Sequence, residues 1–194
     1  MNVRGKKISV IGAARSGVAI AKLLNAQGAS VFVSELQAMD KFTGAAHEFE
    51  KLGIATEFGR HGERVFDAEL VVLSPGVPSS APVVSMATQK GLKVVSELEV
   101  ASWYCRAPII AVTGSNGKTT TVSLIGRILS EANRDHVVAG NIGTAFSAHV
   151  LDLAETSVAV VEVSSFQLDH IEAFHPAVAV ILNITPDHLD RYGG

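Results

Sequence analysis

The stretch AVTGSNGKTTT, residues 111–121, lies between a strand-like apolar segment at 108–112 and a helical pattern at 120–132. A glycine-rich turn between strand and helix that ends in Lys-Thr is typical of loops that bind nucleotide phosphates. The helix N-terminus supplies backbone N–H groups, Lys118 a point charge, and the Thr119 hydroxyl a ligand for Mg²⁺. The predicted cofactor-binding residues are Gly114, Ser115, Asn116, Gly117, Lys118, Thr119 and Thr120.

This loop departs at one position from the strict phosphate-loop pattern, which has a glycine where the chain has Val112. Two small polar residues and a second glycine still precede the Gly-Lys-Thr. The physical basis of phosphate binding is therefore kept. A chance Gly-Lys-Thr is the alternative interpretation, and the position between a strand and a helix favours the phosphate loop.

The composition is that of an ordinary globular protein: 194 residues, 47% of them hydrophobic and 18% charged, enough for one or two domains. A formal net charge of −3 without a basic stripe argues against a nucleic-acid partner. The single cysteine, Cys105, rules out an internal disulfide and a multi-cysteine metal site. Arg15 and Lys22 interrupt the apolar N-terminal run, and no segment reaches the roughly 18 apolar residues of a membrane span. We therefore predict a cytoplasmic protein with no membrane partner.

Two blocks of alternating strands and helices follow from the hydrophobic pattern. Apolar strands separated by helices predict parallel sheets covered on both faces, so the fold class is α/β. We predict a Rossmann-like parallel-sheet domain over residues 1–106, followed by a truncated P-loop ATPase-type α/β domain over residues 107–194. The predicted strands are 8–11, 31–33, 55–58, 70–73, 92–95, 109–112, 137–139, 158–163 and 178–182. The predicted helices are 17–27, 45–52, 82–90, 97–105, 119–132, 144–153 and 165–173.

The first strand is followed by a glycine turn, Gly12-Ala-Ala-Arg-Ser-Gly17, where a dinucleotide fingerprint belongs. The standard fingerprint has a middle glycine where this chain has Ala14, and that glycine lets the backbone approach a pyrophosphate. We therefore favour another diphosphate-bearing ligand over NAD or FAD, with a tight structural turn as the remaining alternative. Glu35 ends the second strand, where it would meet a ribose hydroxyl. The turn Ser74-Pro-Gly76 would face the same edge, with or without a ligand.

Polar groups also follow the strands of the second block. Gly140-Asn-Ile-Gly143 follows one strand, Glu162 ends another, and the segment 183–190 follows the last. Because carboxyl ends of parallel strands gather at one edge, these groups should share a crevice with the phosphate loop. A carboxylate in an apolar strand is costly unless it is paired or metal-bound, so Glu162 is predicted to bind Mg²⁺, with a salt bridge as the alternative. His188, flanked by two aspartates, is predicted to contact metal or phosphate, against the alternative of an ordinary surface histidine.

Together these motifs resemble the Mur ligase family, ATP-dependent enzymes that form amide bonds in peptidoglycan synthesis. The phosphate loop, the turn at 140–143 and Asp187-His188 are similar to the central ATPase domain of that family. The stretch 162–168 (EVSSFQL), the N-terminal glycine turn and Ser74–Val77 resemble most closely the members that add D-glutamate.

The resemblance implies an N-terminal domain that binds the UDP part of UDP-N-acetylmuramoyl-L-alanine and a central domain that binds ATP and Mg²⁺. In the family, ATP phosphorylates the substrate carboxylate, and the amine of D-glutamate then attacks the acyl phosphate. The implied catalytic residues are Lys118, Asn141, Glu162 and His188, and the implied metal ligands are Thr119, Glu162 and His188. The implied substrate-binding residues are Arg15, Ser16, Glu35, Ser74, Gly76, Asn141 and Ser164.

Members of the family continue with the rest of the central domain, a carbamoylated lysine and a third domain. We therefore expect this chain to be a fragment that binds the UDP ligand but does not turn over alone, and the full-length protein to be a monomer. A cut sheet would leave an apolar edge uncovered. The alternatives are another Mur or folylpolyglutamate synthetase-like ligase, an NAD-dependent oxidoreductase, and a non-catalytic nucleotide-binding module.

Overall fold

The computed structural model describes residues 2–186, in which helices alternate with the strands of two sheets. The strands are β1 (Lys7–Ile11), β2 (Ser30–Glu35), β3 (Ala55–Phe58), β4 (Leu70–Leu73), β5 (Lys93–Ser96), β6 (Ile109–Thr113), β7 (His136–Gly140), β8 (Val158–Glu162) and β9 (Val178–Ile181). The helices are α1 (Arg15–Ala26), α2 (Thr43–Lys51), α3 (Pro82–Gln89), α4 (Glu97–Ser102), α5 (Lys118–Glu131) and α6 (Ser165–Leu168). None of these helices combines the length and the apolar character needed to cross a membrane.

All strand pairs in both sheets are parallel. The first sheet has the order β3-β2-β1-β4-β5 and the second the order β7-β8-β6-β9. In the second sheet Val112 lies opposite Glu162 on one side and Val180 on the other. This architecture confirms the predicted α/β class, with a Rossmann-like first part and a P-loop-like second part. The division at residue 106 stays a prediction.

Apolar strands explain why these sheets form. β4 (LVVL) and β8 (VAVVE) are buried along their whole length, as parallel strands covered on both faces should be. The largest apolar cluster runs from the first sheet into the second, and α4 stands between them: Leu98 and Val100 belong to the same cluster as Phe146 and Val150. The two sheets therefore share their largest hydrophobic cluster.

Two predicted helices of the second block are wrong in length. The helix expected at 144–153 is a three-residue 3-10 helix, Phe146–Ala148, and the helix expected at 165–173 is the single turn α6. In both places a carboxylate of α4 takes backbone N–H groups that a longer helix would have used. Glu97 accepts the N–H of Ser147, and Glu99 accepts those of residues 172–174. All nine strand predictions agree with the structure to within two residues at either end.

Candidate nucleotide and substrate site

The phosphate loop connects β6 to α5. Gly114 (φ 138°) and Gly117 (φ 88°) both have the positive φ that favours glycine. Gly117 is the N-cap of α5, and no side chain caps the first turn of this helix among the described residues. The backbone N–H groups at the start of a helix need a partner, and the helix dipole favours an anion there. The start of α5 is thus suited to bind phosphate.

Lys118 supplies the positive charge predicted for this loop. Its ammonium donates hydrogen bonds to the carbonyl oxygens of Gly114, at 2.6 Å, and Ser115, at 3.0 Å. These bonds fold the side chain back over the loop. Lys118 also lines a cavity of about 350 Å³, together with Ser164.

Glu162 is the centre of the polar cluster beside this cavity. It is only 3% exposed, at the carboxyl end of β8. One carboxylate oxygen accepts a hydrogen bond of 2.7 Å from the Thr119 hydroxyl, and the other accepts one of 3.3 Å from the Asn141 side chain. The three residues come from β8, α5 and the turn after β7, and the structure brings them together as the sequence predicts.

Gly140 makes this convergence possible. It has a φ of 109°, and a Cβ at this position would lie 2.3 Å from the carbonyl oxygen of Glu162. The same carbonyl accepts the N–H of Asn141 at 2.9 Å. Only a glycine can approach the strand so closely, so this turn fixes Asn141 next to the carboxylate.

The oxygen atoms of this cluster suit Mg²⁺. Hydroxyl, carboxylate and amide oxygens are the hard ligands that this ion prefers, and Mg²⁺ often uses one or two carboxylates together with substrate phosphates. Within residues 2–186 no three His, Cys, Asp or Glu side chains come close enough to form a metal cluster of their own. Thr119 and Glu162 therefore fit a nucleotide-bound Mg²⁺. The predicted ligand His188 lies outside the described residues, as do Asp187 and Asp190.

The N-terminal glycine turn lies at the carboxyl edge of the first sheet. A Cβ on Gly17 would be 2.0 Å from the carbonyl oxygen of Gly12, so α1 starts directly against the turn. The Glu35 carboxylate accepts the N–H of Ala13 and of Gln37, each at 2.9 Å. Glu35 thus holds the turn in place, a structural role that sequence reasoning did not foresee beside its predicted ligand role.

Of the other predicted substrate-binding residues, four belong to the first part: two at the start of α1 and two in the turn after β4. Ser74 is buried, and its hydroxyl donates a 3.3 Å hydrogen bond to the Gly12 carbonyl. Gly76 follows in the turn after β4, and Ser16 lies in the first turn of α1. The Arg15 guanidinium donates a hydrogen bond to the carbonyl of Gly143, which belongs to the turn that carries Asn141. The two predicted ligand sites therefore touch.

Two buried carboxylates on α4 fix the sheets relative to each other, and sequence reasoning missed both. Glu97 and Glu99 are each 1% exposed. Burial raises the pKa of the Glu97 carboxyl, although the hydrogen bond from Ser147 and the charge of Arg15 offset part of that rise. In the sequence, Glu-Leu-Glu after a strand looks like the solvated start of a helix. The one sequence signal of another role was that these glutamates follow directly on the carboxyl end of a strand.

Burial by itself would also raise the pKa of Glu99, but its hydrogen bonds outweigh this effect. The carboxylate accepts the N–H groups of residues 172–174 and the indole N–H of Trp103, at 2.8–3.0 Å. Together these bonds hold the pKa of Glu99 below its ordinary value. Glu99 therefore remains ionised while it anchors the loop between α6 and β9.

Comparison with known proteins adds to this geometry. Residues 6–96 match the family profile described as the MurD-like N-terminal domain of Mur ligases, and residues 112–194 match the Mur ligase middle domain. The UDP-N-acetylmuramoylalanine–D-glutamate ligase of Salinibacter ruber is 51% identical over 98% of this chain, and that of Chloroherpeton thalassium is 50% identical over 99%. The chain spans about 42% of the length of these curated relatives.

Solved structures agree on the fold. The UDP-N-acetylmuramate:L-alanyl-γ-D-glutamyl-meso-diaminopimelate ligase of Neisseria meningitides has a TM-score of 0.60 at 21% identity, covering 97% of this chain and 63% of that one. The UDP-N-acetylmuramate-alanine ligase of Thermotoga maritima has a TM-score of 0.57 at 23% identity, covering 97% of this chain and 44% of that one. At these identities the likeness concerns the fold alone. The two family profiles and the relatives of about 50% identity, which extend along nearly the whole chain, go further: this chain belongs to the Mur ligase family.

Proposed function

We propose that this chain is the part of an ATP-dependent ligase that binds UDP-N-acetylmuramoyl-L-alanine and the phosphates of MgATP. The complete enzyme would join D-glutamate to that substrate in the cytoplasm, as a step in peptidoglycan synthesis. The observation that supports the proposal is the contact between Thr119 and Glu162 beside Lys118, because it brings groups that would bind phosphate and Mg²⁺ together at one sheet edge. The name of the half-identical relatives supplies the substrate pair.

In the proposed reaction the γ-phosphoryl group of ATP passes to the carboxylate of the L-alanyl group, which gives an acyl phosphate and ADP. The amine of D-glutamate then attacks the acyl carbon, loses a proton and displaces phosphate, so that an amide bond forms. Phosphoryl transfer depends mainly on in-line positioning and on neutralisation of charge.

The residues of this chain can supply both requirements. Lys118 and the N–H groups at the start of α5 would neutralise the phosphate charge. Thr119 and Glu162 would hold Mg²⁺, which when bound offsets the charge on the phosphate oxygens. Asn141, held against Glu162 and next to the Arg15 contact at Gly143, would orient the acceptor end of the substrate. His188 would contribute from the segment that follows β9.

The nucleoside end of the substrate would lie on the first sheet. Arg15 and Ser16 at the start of α1, with Ser74 and Gly76 after β4, surround a turn whose backbone Glu35 holds in place. A diphosphate at this turn would lie close to Gly143 and the second sheet. This arrangement lets one extended ligand reach from the first sheet to Asn141.

The proposal is tested by calorimetric titration of the chain with UDP-N-acetylmuramoyl-L-alanine and, separately, with MgATP. We expect saturable binding of both. Arg15→Ala should weaken only the binding of UDP-N-acetylmuramoyl-L-alanine, and Lys118→Ala only the binding of MgATP. The matched controls are Lys22→Ala, about two turns further along α1, and Arg127→Ala, further along α5.

Other outcomes would point to other functions. Equal binding of UDP-N-acetylmuramate and its L-alanyl derivative would contradict the D-glutamate-adding assignment and favour another Mur ligase. Binding of a nicotinamide dinucleotide at the glycine turn would favour the oxidoreductase alternative. A folded chain that binds neither ligand would refute the proposal.

A further inference from the structure

The phosphate loop is hydrogen-bonded to residues 183–185, which follow β9. We propose that Ser115 and Asn183 are positioning residues that set the shape of the loop and couple it to residues 183–185. We call the four residues Ser115, Asn116, Asn183 and Thr185 the loop clasp. The assignment rests on the proposed nucleotide-binding function of the loop.

Asn183 holds the backbone of Asn116 on both sides. Its side-chain oxygen accepts the N–H of Asn116 at 2.8 Å, and its side-chain nitrogen donates to the carbonyl of Asn116 at 2.9 Å. The backbone carbonyl of Asn183 also accepts the N–H of Ser115, at 3.0 Å. One residue therefore satisfies two successive amides of the loop.

Ser115 makes the reciprocal contact. Its hydroxyl accepts the N–H of Thr185 at 2.9 Å and donates to the carbonyl of Thr185 at 2.9 Å. A hydroxyl has a single hydrogen to donate, and phosphate oxygens accept hydrogen bonds. With that hydrogen directed to Thr185, Ser115 acts on the loop shape rather than as a phosphate ligand.

The clasp selects which amides face the anion. The N–H groups of Ser115 and Asn116 are bound to Asn183, whereas no side chain caps the start of α5 among the described residues. The phosphates should therefore be received by residues 117–120 and the Lys118 ammonium. Without the Asn183 side chain, the N–H groups of the loop would be able to turn toward solvent. The loop would then no longer lead into the start of α5 in a fixed conformation.

The two segments are also packed at backbone distance. A Cβ on Gly114 would lie 3.1 Å from both the backbone nitrogen and the backbone oxygen of Asn183. Movement of the loop should thus be transmitted to residues 183–185. In the sequence these residues stand directly before Pro186, Asp187 and His188. Phosphate binding and ordering of this segment should favour each other, because coupling between two sites is reciprocal.

The test uses the ¹⁵N-labelled chain, with MgATP as the ligand, and measures both the dissociation constant and the hydrogen exchange of the Thr185 N–H. We expect MgATP to slow this exchange in the wild-type chain by about tenfold. Ser115→Ala should abolish that slowing, whereas Ser115→Thr, which keeps the hydroxyl, should restore it. Ser130→Ala, an exposed serine near the end of α5, serves as the control and should behave as wild type.

Asn183→Ala provides the second, independent variant. We expect it to lower the affinity for MgATP about tenfold. The thermal unfolding midpoint of the chain should change little, because Asn183 is exposed. If the wild-type chain binds MgATP and the Asn183→Ala and Ser115→Ala variants match it in affinity and in Thr185 protection, the clasp assignment is wrong and the proposed function stands. If the folded wild-type chain binds no MgATP, both the clasp assignment and the proposed nucleotide-binding function of the loop are wrong.

Discussion

The carboxylate of Glu99 accepts the backbone N–H of Phe174 at 2.9 Å, although the two residues are 75 positions apart in the sequence. The same carboxylate also holds the N–H groups of Glu172 and Ala173. Helix α4 of the first block is thereby bonded to the loop before β9 in the second. The relative position of the carboxyl edges of the two sheets depends on this buried charge.

Glu99→Gln should therefore destabilise the whole chain, by about 2 kcal/mol. The amide side chain keeps one oxygen but turns an NH₂ group toward backbone donors, so at least one N–H group loses its partner. Thermal or urea unfolding measures the effect. Glu155→Gln, at an exposed position, is the control and should leave the stability unchanged.

The effect of Glu99 should depend on pH in a defined direction. The pKa of Glu99 is lowered in the folded chain, so its stabilisation is present above the ordinary pKa and is lost as pH falls through the folded-state value. The difference in stability between wild type and Glu99→Gln should thus be largest near neutral pH and shrink in acid. A difference that grows toward low pH would contradict this account.

Glu97 should show the opposite dependence. Burial raises its pKa, so the protonated form is favoured in the folded chain, and this contribution to stability is lost as pH rises through the raised pKa. Glu97→Gln should therefore gain stability relative to wild type as the pH is raised. Unfolding midpoints of both proteins over a pH series, from about pH 4 to about pH 8, test the sign.

Gly17→Ala should disrupt the N-terminal glycine turn. The new methyl group would lie 2.0 Å from the carbonyl oxygen of Gly12, which forces α1 away from the turn. We expect a loss of about 3 kcal/mol in unfolding free energy, together with weaker binding of the UDP ligand. Gly44→Ala is the control: a Cβ there meets nothing within 4 Å, and the exchange lies in α2, so stability should be kept or slightly raised.

Glu162→Gln should weaken the Mg²⁺-dependent part of ATP binding and leave the binding of the nucleotide itself intact. The amide can still accept the Thr119 hydroxyl, but it lacks the charge that favours Mg²⁺. We expect the affinity for ATP in the presence of Mg²⁺ to fall at least about tenfold, and the affinity in the presence of EDTA to stay the same or rise. Calorimetry with and without Mg²⁺ makes the comparison, and Glu131→Gln, at the exposed end of α5, is the control. Equal losses under both conditions would argue against a metal role.

The sequence was sufficient wherever the determining interactions are local. β4 and β8 could be predicted because each is a short apolar run between turn signals, and the loop between β6 and α5 because strand, glycines and helix follow one another. The convergence of Thr119 with Glu162 followed from the rule that parallel strands gather their carboxyl ends at one edge.

The sequence failed where distant groups decide the local structure. The segment 144–153 has a helix-like pattern, but the Glu97 carboxylate, 50 residues earlier, takes the N–H of Ser147. The contact of Ser115 with Thr185 spans 70 residues and is made by the hydroxyl of an ordinary loop serine. No hydrophobic periodicity or sequence motif marks such hydrogen-bonded pairs, because they form only after the sheets have formed.

The two carboxylates of α4 also bear on how the chain is made. The first sheet is complete in sequence at Ser96, and both carboxylates follow at once, whereas the backbone groups that hold Glu99 begin 73 residues later. On the ribosome, which delivers the N-terminal part first, Glu97 should therefore be hydrated and charged while β6 and β7 are synthesised, and Glu99 until β8 is also complete. Closure of the second sheet onto α4 must expel that water, so this docking step should come late in biogenesis and be the one most sensitive to interruption of synthesis.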